Sequence, residues 1–175
     1  MKKHGKIFAV SGVKNSGKTT LICRLLEIFS ESGMKVAVIK HDGHDFDADV
    51  PGTDTYKQFH AGAYGTAVVS SEKYMIVKRQ KDVPEEQLMD LFPEADMILL
   101  EGFKHCPYPK IEVVRKGNSA KSVCSGYNLL AIATDLPPEE LERDQEEIPL
   151  LPLDEPDRVA EFICKYRAER DGGSK

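Results

Sequence analysis

Gly12-Val13-Lys14-Asn15-Ser16-Gly17-Lys18-Thr19 matches G-x-x-x-x-G-K-[ST] at every fixed position. Before it stands the short apolar run Ile7-Phe8-Ala9-Val10, and after it Leu21, Ile22, Leu25, Leu26, Ile28 and Phe29 recur at helical spacing. Strand, glycine-rich turn and helix therefore follow in the order that gives the pattern its physical meaning. The glycines let backbone N–H groups curl around an anion, and the helix start adds unpaired donors and the positive end of a dipole. By composition the pattern arises by chance in roughly one chain in a hundred of this length, before its strand-helix context is counted.

Working outward, the helix stops near Gly33, and Val36-Ala37-Val38-Ile39 is a continuous apolar strand of the kind buried in a parallel sheet. His41 to Gly52 is a polar, acidic loop, Thr53 to Ala63 reads as a helix, and Gly65 to Ser71 with Tyr74 to Lys78 reads as a hairpin or sheet extension. Pro84 to Leu91 begins as a helix. Met97-Ile98-Leu99-Leu100, Ile111 to Val114 and Leu129 to Thr134 supply further strands. Pro137 to Pro156 is rich in Glu and Pro and reads as surface loop around one extended piece, Ile148 to Leu151, and Val159 to Tyr166 is a closing helix. The pattern predicts an α/β, P-loop NTPase-like fold: a mostly parallel, doubly wound sheet with helices on both faces and a small β extension. A single nucleotide-binding domain over residues 1–170 and a frayed tail over 171–175 are expected.

With 175 residues, 41% hydrophobic and 30% charged, the chain is apolar enough to fold around a core. Its net charge of −5 gives no long-range attraction to nucleic acid or anionic lipid, and no local basic patch supplies one. Cys23, Cys106, Cys124 and Cys164 form no CxxC pair, and the apolar stretch after the basic Met1 to Lys6 is too short for a signal-peptide core or a membrane span. A reducing cytoplasm is the expected location.

Within the loop, Gly12, Val13, Lys14, Asn15, Ser16, Gly17, Lys18, Thr19 and the following Thr20 are the candidate nucleotide-binding residues. Lys18 would bridge the β- and γ-phosphates, and the Thr19 hydroxyl would help hold Mg²⁺. Glu101, directly after four apolar strand residues, would stand beside that ion. The loop from His41 to Asp49 concentrates ligand-type side chains past the second strand. Its carboxylates suit either a plain solvated acidic loop or a switch-like loop, and in the second reading Asp45 and Asp47 are candidates to orient the attacking water and Asp49 is a candidate magnesium ligand. A zinc site built on His41 and His44 would have no thiolate nearby, and its spacing matches no zinc signature. Asp135, ending the strand Ala131-Ile132-Ala133-Thr134, is placed as a carboxylate that accepts from the N1–H and 2-amino group of guanine, or as a turn residue before Pro137.

Taken together these motifs resemble the MobB family of molybdopterin-guanine dinucleotide biosynthesis adapter proteins. Besides the phosphate loop, the resemblance rests on Ile39-Lys40-His41 with His44-Asp45 and Asp47, Pro51-Gly52 with Asp54, Ala61-Gly62-Ala63, Leu100-Glu101-Gly102-Phe103-Lys104 with Lys110-Ile111, and Ala133-Thr134-Asp135. It runs in order through about the first 140 residues and fades beyond Pro138. Family members often carry a run of histidines after Lys40, where this chain has His41-Asp42-Gly43-His44. The resemblance implies a protein of the class that includes metallocentre GTPases and dethiobiotin synthetase, binding GTP with Mg²⁺, hydrolysing it slowly at most, and forming a homodimer. It implies as partner MobA, the guanylyltransferase that joins GMP to molybdopterin, with molybdopterin itself as a further ligand. The competing readings are a P-loop small-molecule kinase or ATP-dependent ligase, for which Arg79 and Arg115 could close on phosphate, and a metallocentre chaperone using His41 and His44.

Overall fold

The computed structural model describes residues 6–172, with side chains described as far as Tyr166. The chain divides into two compact units, one formed by Met1–His41 with Leu88–Lys175 and the other by Asp42–Gln87. The larger unit contains strands β1 (Lys6–Ser11), β2 (Val36–Lys40), β5 (Met97–Glu101), β6 (Lys110–Val114), β7 (Leu129–Thr134) and β8 (Leu150–Pro152). They form one six-stranded sheet in the order β2-β5-β1-β6-β7-β8, with every pairing parallel. Inserting β5 between β1 and β2 reverses the direction of winding beside β1, and in such sheets ligands bind beyond the carboxyl ends at that reversal.

Alternation along the strands sorts the core into two faces. Phe8 and Val10 of β1, Met97 and Leu99 of β5, and Ile111 and Val113 of β6 face one side. There they meet Leu21, Ile22, Leu25 and Phe29 of α1 (Lys18–Glu31), together with Val159, Ala160 and Ile163 of α4 (Pro156–Gly172). Each such large side chain taken fully out of water contributes about 1.5–3 kcal/mol before entropy is counted. The closing helix starts at Pro156 rather than Val159, because proline suits a first helical turn where its missing N–H is not needed. Asp171 and Gly172 end that helix, and the remainder of the expected tail, 173–175, lies outside the described residues.

The opposite face is covered by the one-turn α3 (Glu85–Met89) and by loops. Met89 and Cys106 pack under Ala9, Ile98 and Leu100, while Cys124, Leu136 and Leu141 pack around Val114 and Ile132. Loops bring unpaired backbone groups into the interior, and two charges on the loop-facing side of β6 satisfy them. Lys110, fully buried, donates through Nζ to the carbonyls of Cys106 at 2.7 Å and Tyr127 at 2.5 Å. The equally buried Glu112 accepts from Ser122 Oγ at 2.5 Å, Val123 N at 2.7 Å and Cys124 N at 3.3 Å. Burial, with the Glu112 charge beside it, pushes the Cys124 thiol up to about 12, so it stays a protonated, unreactive core residue. All four cysteines are free.

The smaller unit holds α2 (Asp54–His60) and the antiparallel hairpin of β3 (Gly65–Val69) and β4 (Tyr74–Lys78). Thr53 caps α2 by accepting from Tyr56 N at 3.4 Å, which sets its start at Asp54, and the helix ends at His60, short of the Thr53 to Ala63 stretch expected from the sequence. Arg79 is committed within this unit: it lies over the Phe59 ring at 4.0 Å and donates to the carbonyls of Phe59 at 3.1 Å and Ala63 at 3.3 Å. Val68, Val69, Tyr74 and Ile76 of the hairpin are exposed. Among the described residues no helix is long and apolar enough to cross a membrane.

The two buried charges of β6 yield a stability prediction. Removing the Glu112 carboxylate orphans three donors under a loop, so Glu112→Ala should lower unfolding stability by about 3 kcal/mol. Urea denaturation of the variant beside the wild type measures this, and a shift under about 0.5 kcal/mol, the size of an ordinary surface substitution, would contradict it.

Candidate functional site

The turn between β1 and α1 is made by backbone conformations that few residues adopt. Gly12 has φ +138°, Asn15 +62° and Gly17 +98°. A Cβ on Gly12 would collide with the carbonyl oxygen of Val113 on the neighbouring strand, which is why the chain leaves the sheet through glycine here. Gly17 is the N-cap of α1 and offers no side-chain acceptor, and the first helical turn has no acidic residue. The first N–H groups and the dipole of α1 are therefore left to whatever anion the loop receives. Inside the turn, the Ser16 hydroxyl is buried and has no hydrogen-bond partner among the described residues, an orphan of the kind a ligand oxygen satisfies.

Lys18 folds back along the turn and donates from Nζ to the carbonyl of Val13 at 2.6 Å. Partial burial holds its ammonium below the usual lysine range. Glu101 acts against this, while Lys104 and Lys40 reinforce it. A cation that is incompletely solvated, with two further lysines near it, gains when an anion arrives. Thr19 donates from Oγ1 to Glu101 Oε1 at 2.6 Å, and Glu101 is 6% exposed. A hydroxyl and a carboxylate in contact at the mouth of the turn form the hard oxygen set that suits a magnesium ion, which takes one or two carboxylates and keeps its remaining places for water and phosphate.

Beyond the turn, a cavity of about 260 Å³ opens against Gly17 and Thr20 and is walled by Arg115, Asp135, Leu153 and Asp154. The loop after β6 is fastened on both sides of it. Asn118 donates from Nδ2 to the Lys14 carbonyl at 3.0 Å, and the Lys116 amide donates to Asp135 Oδ1 at 2.6 Å. Asp135 thus serves as a turn acceptor through one oxygen, while its exposed side chain also lines the cavity. Asn118, Leu153 and Asp154 were not among the sequence candidates. The sequence signal for the last two was the step from a short apolar run into Pro156, a strand-to-helix junction on the same rim as the phosphate loop.

The acidic loop belongs to the smaller unit, and each carboxylate named there has a local partner. Asp45 Oδ1 accepts from Phe46 N at 3.0 Å, and Asp47 Oδ1 lies 3.7 Å from His60 Nε2. Asp49 Oδ1 accepts from Val50 N at 2.7 Å and Thr53 Oγ1 at 3.2 Å. Hydrogen bonding, from the Thr55 side chain foremost and also from Val50 and Thr53, holds the Asp49 carboxyl below its usual range. Among the described residues no three His, Cys, Asp or Glu side chains gather so as to hold a metal ion.

Residues 7–135 match the family model described as MobB, molybdopterin guanine dinucleotide synthesis protein B. The chain is 30% identical over 176 aligned residues to the molybdopterin-guanine dinucleotide biosynthesis adapter protein of Escherichia coli K12, covering 95% of each. It is 36% identical to the probable adapter protein of Bacillus subtilis, covering 72% of this chain and 74% of that one. A crystal structure of Bacillus subtilis MobB superposes with a TM-score of 0.71 at 32% identity, covering 91% of this chain and 96% of that chain. The structure of a MobB homologue from Bacillus stearothermophilus, at 23% identity and a TM-score of 0.69, shares the fold over 91% of this chain and 96% of its own.

The crowding at Gly12 can be separated from its backbone strain. Gly12→Ala should destabilise the fold by about 2 kcal/mol or more, whereas Gly33→Ala, at φ +77° with nothing near its Cβ, should lose only about 1 kcal/mol. Equal urea midpoints for the two variants would remove the argument for close approach to β6.

Proposed function

This chain belongs to the MobB family of molybdopterin-guanine dinucleotide biosynthesis adapter proteins, and on that premise we propose that it works as a GTP-binding adapter with weak, Mg²⁺-dependent GTPase activity. In this reading it assists the attachment of GMP to molybdopterin by the guanylyltransferase MobA, and it acts as a homodimer. The observation that carries the nucleotide reading is that Gly17 and Thr20 of the phosphate loop and the carboxylate of Asp135 line one cavity. A triphosphate seated on the loop would then lead its base toward a carboxylate able to accept from guanine and not from adenine.

Each residue has a separable task. Backbone N–H groups from Val13 to Thr20 receive the phosphates, and Lys18 leaves the Val13 carbonyl to compensate their charge. Thr19 and Glu101 hold Mg²⁺, which when bound neutralises phosphate charge. Asp45 and Asp47 stay candidate carboxylates of the smaller unit, each with its local partner there. The exposed apolar side chains on β3 and β4 support a contact surface for a second copy. The kinase or ligase alternative loses one of its two arginines, since Arg79 is occupied by Phe59 and Ala63.

Competition titrations with GTP, ATP and GDP, with and without Mg²⁺, test the proposal. GTP should be preferred and its binding should weaken without the ion; a preference for ATP would favour the kinase or ligase reading instead. Lys18→Ala should abolish triphosphate binding while keeping the wild-type circular dichroism. Asp135→Asn should weaken GTP about tenfold, a loss of about 1.4 kcal/mol, with ATP unchanged. Equal effects on both nucleotides would make Asp135 a turn acceptor alone.

A further inference from the structure

Among the described residues, Arg115 is the cation of the cavity that no carboxylate claims. It stands directly after β6, its side chain is exposed, and Nη1 lies 3.6 Å from the position a Cβ on Gly17 would take. The guanidinium therefore occupies the space that glycine leaves open at the start of α1. The cavity's other arginine, Arg24, is paired with Glu27 at 3.0 Å. Among the described residues, Arg115 forms no ion pair with a carboxylate.

Its backbone is held as well. The Arg115 carbonyl accepts from Asn118 N at 3.1 Å and Ser119 N at 3.3 Å, and the same short loop is tied to the phosphate loop at Lys14 and to Asp135. A side chain rooted in a loop fastened on both sides loses less entropy when it engages a ligand. Its planar fork matches two oxygens of one phosphate, which a lysine cannot do.

We propose that Arg115 binds the α-phosphate of the nucleotide, where the phosphate chain joins the nucleoside. This rests on the nucleotide reading of the cavity given above. Position supports the α-phosphate specifically: the Arg115 guanidinium reaches Gly17 at the start of α1, while the amide of the next residue, Lys116, is bonded to the Asp135 carboxylate, and all three of Gly17, Arg115 and Asp135 line the same cavity. Lys18, engaged at Val13 inside the turn, serves the distal phosphates.

The test compares wild type, Arg115→Ala, Arg115→Lys and Lys18→Ala in calorimetric titrations with GMP, GDP and GTP, with thermal unfolding as a control for folding. Arg115→Ala should weaken all three nucleotides by a similar factor of about ten, because all share the α-phosphate, and Arg115→Lys should fall between it and wild type. The salt dependence of GDP binding should be shallower in Arg115→Ala than in wild type. Wild-type affinity for GMP and GDP in Arg115→Ala, with Lys18→Ala impaired for GTP, would overturn this assignment alone. A loss confined to GTP would also overturn it, placing the guanidinium at the γ-phosphate. If wild type and Lys18→Ala bind all three nucleotides equally poorly, the nucleotide reading itself falls, and this inference with it.

Discussion

Glu101 is a carboxylate buried at the carboxyl end of a strand that has neighbours on both sides, and much of the larger unit is arranged around making that tolerable. An ionised group in such a place is unfavourable by several kcal/mol unless hydrogen bonds replace its water. Its side chain takes the Thr19 hydroxyl, and its backbone carbonyl takes the amide of His41. The next amide, of Gly102, goes to Val10, and the Ser11 hydroxyl turns onto the Gly102 carbonyl. Because the register sets Glu101 beside both Val10 and Lys40, the ends of three strands and the first turn of α1 are fixed by contacts with two consecutive residues. The phosphate loop has its shape because its two ends are fixed in this way.

The sheet's two faces solve the problem of covering apolar strands differently. On one, α1 and α4 satisfy their own backbone groups and need only offer side chains. On the other, loops must be anchored group by group, and β6 does so with one cation for carbonyls and one anion for amides, two residues apart on the same face. A buried charge is weak evidence for stability in general. Here each has a specific set of backbone partners that would otherwise be orphaned, so the pair decides where the loops lie.

The phosphate loop was legible in the sequence because every fixed position answers a backbone requirement that admits few residues, as Gly12 against Val113 shows. The strands were legible for the same kind of reason, being apolar runs too short for helices and bounded by turn residues. Asp135 could be placed by its position at a strand end, although its bond to the Lys116 amide could not. Lys110 and Glu112 sit in a strand that alternates charged with apolar residues, and such alternation normally signals a wet face. Only the loops folded over that face make it dry, and loop cover has no period to read. The stretch from Pro137 to Pro156, read as surface loop around an extended piece at Ile148 to Leu151, does carry a strand, β8, but the place of Leu153 and Asp154 on the cavity wall was not legible, since it comes from β8 and α4 meeting at the rim.

The anchoring of the loop after β6 also bears on motion. Loops ordinarily exchange their amide hydrogens with solvent far faster than strands do, because small local openings are enough to release them. The amides of Val123 and Cys124 lie outside any strand or helix, yet they donate to a fully buried carboxylate on a central strand. Releasing them leaves a buried carboxylate without its donors, which costs more than the opening of an ordinary surface loop. These two amides are therefore expected to exchange with the core strands rather than with the surface loops, so that the protected part of the larger unit would extend through a loop next to the strand that carries Glu112.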